Sequence, residues 1–261
     1  MELTSSVNLM IMSFNMRCDV ASDGINAFEN RKPRIAEMLG RYSPDVIGFQ
    51  EVTPTMREWL VETLADYYTV GAGRNADYSG ESALIAYKKS AFDLISCESI
   101  MLSSTPHIMG SRYEGADQSR CPRVYTRLLL KHKDIREPIY FYNVHTDHEG
   151  QLARTLATVQ LLQDICSHNR NFVMTGDFNA QPDDREIKML TAATARRVVD
   201  ASENVGGTFH NYGRLEMPVK IDYIFTDARN KVIDCSLIED KPVNEVYLSD
   251  HNPLFAVLEI R

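Results

Sequence analysis

Short apolar runs separated by turns recur along the whole chain, and this feature constrains the fold more than any other. The segment NLMIMSFNMR at residues 8–17 is a predicted buried strand, and SPDVIGFQ at 43–50 predicts a turn followed by a second buried strand. The same pattern predicts further strands over residues 67–71, 82–88, 92–100, 124–131, 139–145, 171–175, 221–225, 232–237 and 254–260. Many strands with few helices predict an α/β architecture of two packed sheets flanked by helices.

Helical spacing of apolar residues appears in four segments only. Residues 31–42 predict a helix, with Pro33 suited to its first turn. Thr53 is a good N-cap with Pro54 after it, and an apolar stripe at helical spacing follows through residue 64. Residues 152–167 and 187–193 predict the other two helices.

The length of 261 residues suits one large domain, and hydrophobic residues at 44% are enough for an ordinary core. We find no internal repeat, linker or low-complexity stretch, so we expect a single domain over residues 1–261. No apolar run reaches the roughly 18 residues that a membrane span needs, and no signal peptide is evident. We therefore expect a cytoplasmic protein with no membrane anchor, and nothing indicates an obligate protein partner.

The five cysteines and the net charge of -8 narrow the chemistry. The cysteine count is odd and no C-x-x-C pair occurs, so we expect reduced, mostly buried thiols and no structural zinc site. The acidic balance disfavours a strongly basic face for long nucleic acids. Four arginines that lie close together could still line a local groove, or could belong to a solvated loop and the strand after it: Arg112, Arg120, Arg123 and Arg127.

Polar signatures stand where several of the predicted strands end. They are SFN at 13–15, QE at 50–51, YNVHTD at 142–147, GDFN at 176–179, IDYIF at 221–225 and SDHNP at 249–253. Side chains at the same ends of neighbouring strands can converge on one point. Together they offer carboxylates, amides and histidines, which suits Mg²⁺ because this ion prefers oxygen ligands.

The segment YNVHTDHEG at residues 142–150 also has a zinc interpretation. Its spacing is close to the H-x-H-x-D-H zinc motif, but Asn143 stands where the first histidine belongs. The histidines at 107, 132, 168 and 210 form no downstream ligand pattern, and a zinc site leaves GDFN and SDH unexplained. We therefore disfavour the zinc interpretation and place His145 at a strand end, with His148 and its neighbours in the loop that follows.

The ordered set SFN, QE, GDFN, IDYIF and SDH resembles the endonuclease/exonuclease/phosphatase, or DNase I-like, superfamily, from residue 13 to residue 253. Within it, YNVHTDHEG, GDFNAQPDD, TFH and IDYIF are most similar to the nocturnin-type deadenylases. The resemblance implies a four-layer α/β sandwich, with two packed, mostly antiparallel sheets between helices and the site at one edge of the sheets.

The resemblance implies a metal end of the site. Glu51 would be the principal Mg²⁺ ligand, with Mn²⁺ as a possible substitute, and Asp250 would lie in or near the metal shell. Asn15 would lie beside the metal and the phosphate. Asp177 would orient or deprotonate the attacking water, and Asn179 would hold a phosphate oxygen.

The resemblance also implies a phosphate end. His251 would contact the scissile phosphate, with Asp222 orienting it, and His145 would be the second phosphate contact, paired with Glu81. Because a carboxylate partner favours the charged imidazole, we predict a raised pKa for both histidines. Arg17 matches an arginine frequent two residues after the first asparagine, and we predict that it contacts substrate.

Three further residues are predicted substrate contacts: Arg123, Asn143 and Tyr113. Tyr113 and Arg112 lie in the long segment 105–122, which has no clear period, and loops of this length are often functional. His210, in a glycine-rich segment, suits either a substrate contact or a turn.

These features predict a Mg²⁺-dependent phosphoester hydrolase, either a phosphodiesterase or a phosphatase. Its substrate would be a phosphorylated small molecule or a nucleic acid, and the acidic balance favours the small molecule. The alternative is a catalytically inactive binding or regulatory protein that keeps the fold. Such proteins usually lose a metal ligand or a site histidine, whereas this chain keeps the complete set.

Overall fold

The computed structural model describes residues 6–193 and 198–261. The first sheet has the strand order β11-β12-β1-β2-β4-β3. Its strands are β1 (Val7–Asn15), β2 (Val46–Val52), β3 (Tyr67–Val70), β4 (Ser82–Lys88), β11 (Lys231–Leu237) and β12 (Leu254–Ile260). Only the pair β1 and β2 is parallel, and its register sets Asn15 opposite Gln50.

The second sheet has the order β5-β6-β7-β8-β10-β9. Its strands are β5 (Phe92–Met101), β6 (Val124–His132), β7 (Ile139–His145), β8 (Phe172–Asp177), β9 (Val198–Asp200) and β10 (Asp222–Asp227). Here β7 and β8 form the one parallel pair, with His145 opposite Asp177. The antiparallel pair β8 and β10 sets Asp222 opposite Asp177 on its other side.

Two helices cover the outer face of each sheet. The α-helices are α1 (Phe28–Tyr42), α2 (Pro54–Thr63), α3 (Gln151–Cys166) and α4 (Arg185–Thr191), and a short 3₁₀ helix spans Ala21–Asn26. One buried cluster joins α1 and α2 to the first sheet, and another joins α3 and α4 to the second. A third fills the space between the sheets, with Ile11, Ile85, Phe141 and Val173 among its members. This arrangement confirms the predicted four-layer α/β sandwich.

Local signals explain most element boundaries. Thr53 is the N-cap of α2, where its side chain accepts a hydrogen bond from the Met56 amide, as predicted. Helix α1 begins at Phe28, three residues before the predicted start, so Pro33 lies inside the helix and not in its first turn. No sequence pattern predicted the 3₁₀ helix or the three-residue strand β9.

Two further predictions concern thiols and membranes. All five cysteines are free, but the expectation that most are buried is wrong, because Cys97 and Cys166 are exposed and the others are half-buried. Within residues 6–193 and 198–261, no helix is both long and apolar enough to cross a membrane.

Candidate active site

A cavity of about 450 Å³ opens where strands of both sheets end. The parallel pairs β1–β2 and β7–β8 bring the residues that end these strands to the same edge. The start of β10 and the segment before β12 complete the wall. Predicted site residues that line it are Arg17, Glu51, Glu81, Arg123, His145, Asp177, Asn179, Asp250 and His251.

Backbone strain concentrates around this cavity. Nine residues other than glycine have a positive φ in the described chain, and five of them line the cavity. They are Arg17 (53°), Glu51 (61°), Asn179 (47°), Asn211 (50°) and Tyr212 (54°). A left-handed backbone is costly for residues with a side chain, and it persists where the surrounding structure enforces it, often at functional sites.

Asn15 links two carboxylates at the floor of the cavity. Its Nδ2 donates to Glu51 Oε1 (3.1 Å) and to Asp177 Oδ2 (2.9 Å), and its Oδ1 accepts the Arg17 amide (2.9 Å). The Cys18 amide donates to Glu51 Oε2 (2.9 Å). Asn15 is itself buried, so it fixes the positions of both carboxylates relative to each other.

A buried arginine supports this floor from below. Arg31, on α1, has no exposed surface and donates to the carbonyls of Asn26 (2.7 Å), Arg17 (2.8 Å) and Leu248 (2.9 Å). It also donates to the carbonyl of Met16. The guanidinium therefore ties the end of β1 to the segment that carries Asp250.

His251 and Asp222 form a buried ion pair. His251 Nδ1 lies 2.8 Å from Asp222 Oδ2, and its Nε2 lies 3.9 Å from Asp177 Oδ2. Burial opposes the imidazolium, but Asp222, and after it Asp250 and Asp177, outweigh that effect and raise the pKa of His251 to about 10. The raised pKa of His251 agrees with the prediction, and the imidazole is cationic at neutral pH.

Asp177 lies between the two histidines. Its Oδ1 accepts the Asn179 amide (2.9 Å), and its Oδ2 lies 3.7 Å from His145 Nε2. Burial, together with repulsion from Asp222, raises the pKa of Asp177 above its ordinary value. A carboxylate with a raised pKa and fixed geometry is suited to accept a proton.

The pKa of His145 is lowered, although a raised pKa was predicted. Burial and the charge of Arg123 lower its pKa well below the ordinary value. Its Nε2 lies 3.2 Å from Arg123 NH1, while Arg123 NH2 lies 2.7 Å from His148 Nδ1. The expected Glu81 partner is engaged elsewhere, because Arg74 holds both Glu81 oxygens at 2.7 and 2.8 Å. His145 is therefore a neutral imidazole beside a buried guanidinium.

Two predicted substrate contacts lie away from the cavity. Asn143 is fully buried between the sheets, where its Nδ2 donates to the carbonyls of Phe49 (2.7 Å) and Leu84 (2.9 Å). Gly48 makes room for it, since a Cβ there would lie 2.6 Å from Asn143 Oδ1. Tyr113 packs in the core of the second sheet and donates to Gln160 (2.6 Å). Both predictions are corrected to structural roles.

The four clustered arginines, for which a basic groove and a solvated loop were both left open, do not line the cavity together. Of the four clustered arginines, only Arg123 lines the cavity in the described chain. Arg127 pairs with Asp164 and Glu98, and Arg112 donates to the Ser119 carbonyl (2.8 Å). Arg17 is held by both oxygens of Asp23, at 2.9 and 3.1 Å.

One wall of the cavity comes from a segment in which sequence reasoning singled out only His210. Phe209, Asn211, Tyr212 and Arg214 all line it, and they come from the segment between Gly207 and Lys220. The only sequence signal was the turn-rich segment TFHNYG at residues 208–213, whose apolar residues follow neither helical nor strand spacing. His210 is buried under this wall and does not line the cavity.

Two groups of side chains could hold a cation. Asp177, Asp222 and His251 offer ligand atoms within 4.8 Å of one another. However, His251 Nδ1 is engaged by Asp222 Oδ2 at 2.8 Å, and carboxylates raise the pKa of His251 to about 10, so this group is better described as a hydrogen-bond network. Glu51 and Asp250 line the same cavity. Against burial, the Cys18 amide and the charge of His251 lower the pKa of Glu51, so this carboxylate is ionised. After burial, repulsion by Glu51 raises the pKa of both Asp250 and Glu81. Repulsion between carboxylates that face one cavity favours a bound cation at the Glu51 end.

Comparison with known proteins places this arrangement in context. The sequence pattern of the Endonuclease/Exonuclease/phosphatase family matches residues 12–251. No curated protein sequence matches the chain significantly.

Several solved structures are similar to this chain over nearly their whole length. An endonuclease/exonuclease/phosphatase from Bacteroides vulgatus is 29% identical, with a TM-score of 0.90 over 98% of this chain and 100% of that one. A mannosyl-6-phosphatase from Bacteroides thetaiotaomicron is 26% identical, with a TM-score of 0.86 over 96% and 99%. The human nocturnin catalytic domain is 18% identical, with a TM-score of 0.72 over 98% and 97%, and at that identity the likeness concerns the fold alone.

Proposed function

The chain belongs to the endonuclease/exonuclease/phosphatase family, and from this premise we propose that it hydrolyses phosphoester bonds with the help of a divalent cation. One observation carries the proposal. Two carboxylates, Glu51 and Asp250, share a cavity with a fixed imidazolium, His251, and with a carboxylate of raised pKa, Asp177. A cation site, a phosphate site and a proton acceptor thus meet in one place.

The residues fit a hard divalent cation. Glu51 would be the main ligand, with Asp250 beside it, since both offer carboxylate oxygens to one cavity and the lowered pKa of Glu51 keeps it ionised. Asn15 positions Glu51 through its Nδ2 and offers its remaining oxygen lone pair. When bound, Mg²⁺ or Mn²⁺ would neutralise phosphate charge and stabilise the leaving oxygen.

Asp177 would accept the proton of the attacking water. The Asn179 amide and Asn15 Nδ2 hold its two oxygens in place, so it is oriented before substrate binds. The water oxygen would form the new bond to phosphorus while the ester oxygen leaves with the bonding electrons. A positioned general base of this kind typically contributes about 10²–10⁴-fold to the rate.

Three side chains would hold the phosphate oxygens. His251 offers a charged Nε2–H, because its Nδ1 is engaged by Asp222. Arg123 offers a buried guanidinium whose Nε has no hydrogen-bond partner within the described residues. His145, beside Arg123, would contact the phosphate as a neutral imidazole. Positive charge fixed where negative charge develops stabilises the transition state.

The proposed substrate is a small phosphomonoester. A cavity of about 450 Å³ is the size of a small-molecule site, and the pairing of Arg17 and Arg74 leaves no continuous basic track for a nucleic-acid strand. The relative from Bacteroides thetaiotaomicron named as a mannosyl-6-phosphatase supports a sugar phosphate.

The test compares hydrolysis of p-nitrophenyl phosphate and bis-p-nitrophenyl phosphate in Mg²⁺, in Mn²⁺ and in EDTA. We expect metal-dependent cleavage of the monoester, lost at least a hundredfold in His251→Ala and kept in the exposed control His107→Ala. Cleavage of the diester alone would replace the phosphatase with a phosphodiesterase. Cleavage of neither ester, or cleavage that EDTA and His251→Ala leave intact, would refute the proposed function.

A further inference from the structure

The cavity wall at residues 209–214 carries two polar side chains that no other side chain engages in the described part of the molecule. Asn211 and Arg214 both line the cavity, yet only their backbone atoms take part in hydrogen bonds. The other arginines of the cavity are all engaged: Arg17 by Asp23, Arg74 by Glu81, and Arg123 by two histidines. Arg214 is therefore the lining arginine that the fold leaves for a ligand.

Hydrogen bonds hold the backbone of this wall in place, although they do not engage the side chains of Asn211 and Arg214. The amides of His210 and Asn211 donate to the Asp250 carbonyl at 2.9 and 3.1 Å. The Tyr212 hydroxyl donates to Asp23 Oδ2 (2.9 Å), and the Gly213 amide donates to His210 Nδ1 (3.1 Å). Together with the positive φ at Asn211 and Tyr212, these contacts fix the backbone from which both donors project.

The wall also lies next to the reacting end of the cavity. The ring of Phe209 is 4.9 Å from the His251 ring, so the wall begins next to the proposed phosphate contact. A substrate with its phosphate at His251 would place the rest of the molecule along this wall. Phe209 would then offer an apolar face, and Asn211 and Arg214 would offer polar contacts.

We propose that Asn211 and Arg214 form the subsite that recognises the alcohol part of the substrate, and that this part is a hydroxylated chain or ring such as a sugar. The inference rests on the proposed phosphatase function. An amide offers both a donor and an acceptor, and a guanidinium offers five donors, which together match neighbouring hydroxyl groups.

The experiment measures kcat and KM for mannose 6-phosphate and for p-nitrophenyl phosphate, which lacks hydroxyl groups. The variants are Asn211→Gly, Arg214→Gln and an exposed control, Arg136→Gln. Glycine is chosen at 211 because it tolerates the positive φ while removing the amide. We expect each site variant to raise KM for mannose 6-phosphate about tenfold, the usual effect of one lost hydrogen bond, and to change p-nitrophenyl phosphate less than twofold.

Calorimetry of the EDTA-treated protein adds a readout that is independent of turnover. Both site variants should weaken binding of mannose 6-phosphate and leave binding of inorganic phosphate unchanged. Equal losses for both phosphates, or no loss for either, would overturn the subsite. So would a wild-type protein that cleaves p-nitrophenyl phosphate but neither mannose 6-phosphate nor glycerol 3-phosphate. Failure to cleave p-nitrophenyl phosphate would instead remove the proposed function.

Discussion

Replacing Asp222 by asparagine should lower the pKa of His251 by at least about two units. The shift in the wild-type protein, from an ordinary value of 6.5 to about 10, is maintained against burial, and Asp222 is the largest favourable contribution. At about 1.4 kcal/mol per pKa unit, this net shift corresponds to roughly 5 kcal/mol in favour of the imidazolium, after the opposing effect of burial. Asp250 and Asp177 remain in the variant, so we expect the pKa to fall part of the way and not to collapse to that of a buried neutral imidazole.

The effect on stability has a definite sign. Because the pKa of His251 is raised on folding, its contribution is fully present below pH 6.5 and is lost as pH rises through about 10. The metal-free wild-type protein should therefore lose stability over this window, as measured by urea unfolding at several pH values. Asp222→Asn should flatten that dependence.

The direct assay is a ¹⁵N NMR titration of histidine-labelled, EDTA-treated protein between pH 5 and 10. The matched control is Asp227→Asn, which removes a buried carboxylate at the other end of the same strand. A His251 imidazole that is already neutral at pH 8 in the wild-type protein would refute the reasoning. An unchanged titration in Asp222→Asn would refute it equally.

Three further predictions concern stability. Asn143→Ala should cost about 3 kcal/mol in urea unfolding, because it leaves the buried carbonyls of Phe49 and Leu84 without their donor. Arg31→Met should cost roughly 3 kcal/mol or more, since four backbone carbonyls lose a charged donor, and it should also lower activity by loosening the floor of the cavity. For His210, burial and the charge of His251 lower the pKa to about 4, so wild-type stability should fall as pH falls from 6.5 to 4, and His210→Gln should reduce this fall.

Exposed substitutions serve as controls for these measurements. Glu114→Gln and Arg136→Gln alter exposed side chains and should change the free energy of unfolding by less than about 0.5 kcal/mol. An Asn143→Ala or Arg31→Met variant as stable as these controls would contradict the assigned contacts. An acid dependence that is identical in His210→Gln would show that other groups cause it.

The sequence predicted the layers of the fold well because the signals are local. Apolar runs with polar ends mark strands, and the bounds of β4 (82–88), β7 (139–145) and β12 (254–260) agree with the structure residue for residue. The polar strand ends then met at one edge because β1–β2 and β7–β8 are parallel pairs. For the polar residues that end these four strands, the position in the strand was enough to predict that they lie at the site.

The sequence did not predict which residues near the end of a strand reach the cavity and which stay buried between the sheets. Asn143 and His145 are two residues apart, so they face the same side of β7. One position is about 7 Å further from the strand end than the other, at a rise of about 3.3 Å per residue. His145 reaches the cavity, whereas Asn143 lies under the first sheet against Phe49 and Leu84. The alternation of side chains cannot distinguish these two environments.

Two further features of the site were not predicted from the sequence. They are the pairing of side chains around His145 and the backbone conformation of residues 209–214. The pKa of His145 depends on Arg123 lying beside it and on Arg74 occupying Glu81, and neither contact has a sequence signature. The wall at residues 209–214 takes a left-handed backbone at Asn211 and Tyr212 that tertiary contacts hold in place. A segment without period gives no advance indication of such a conformation.

The most direct test of the account is calorimetric titration of Mg²⁺ into the wild-type protein, Glu51→Gln, Asp222→Asn and the exposed control Glu114→Gln. If Glu51 and Asp250 hold the cation, binding should be lost in Glu51→Gln and kept in the other three proteins. Equal Mg²⁺ binding in Glu51→Gln and in the wild-type protein, or loss of binding only in Asp222→Asn, would contradict it.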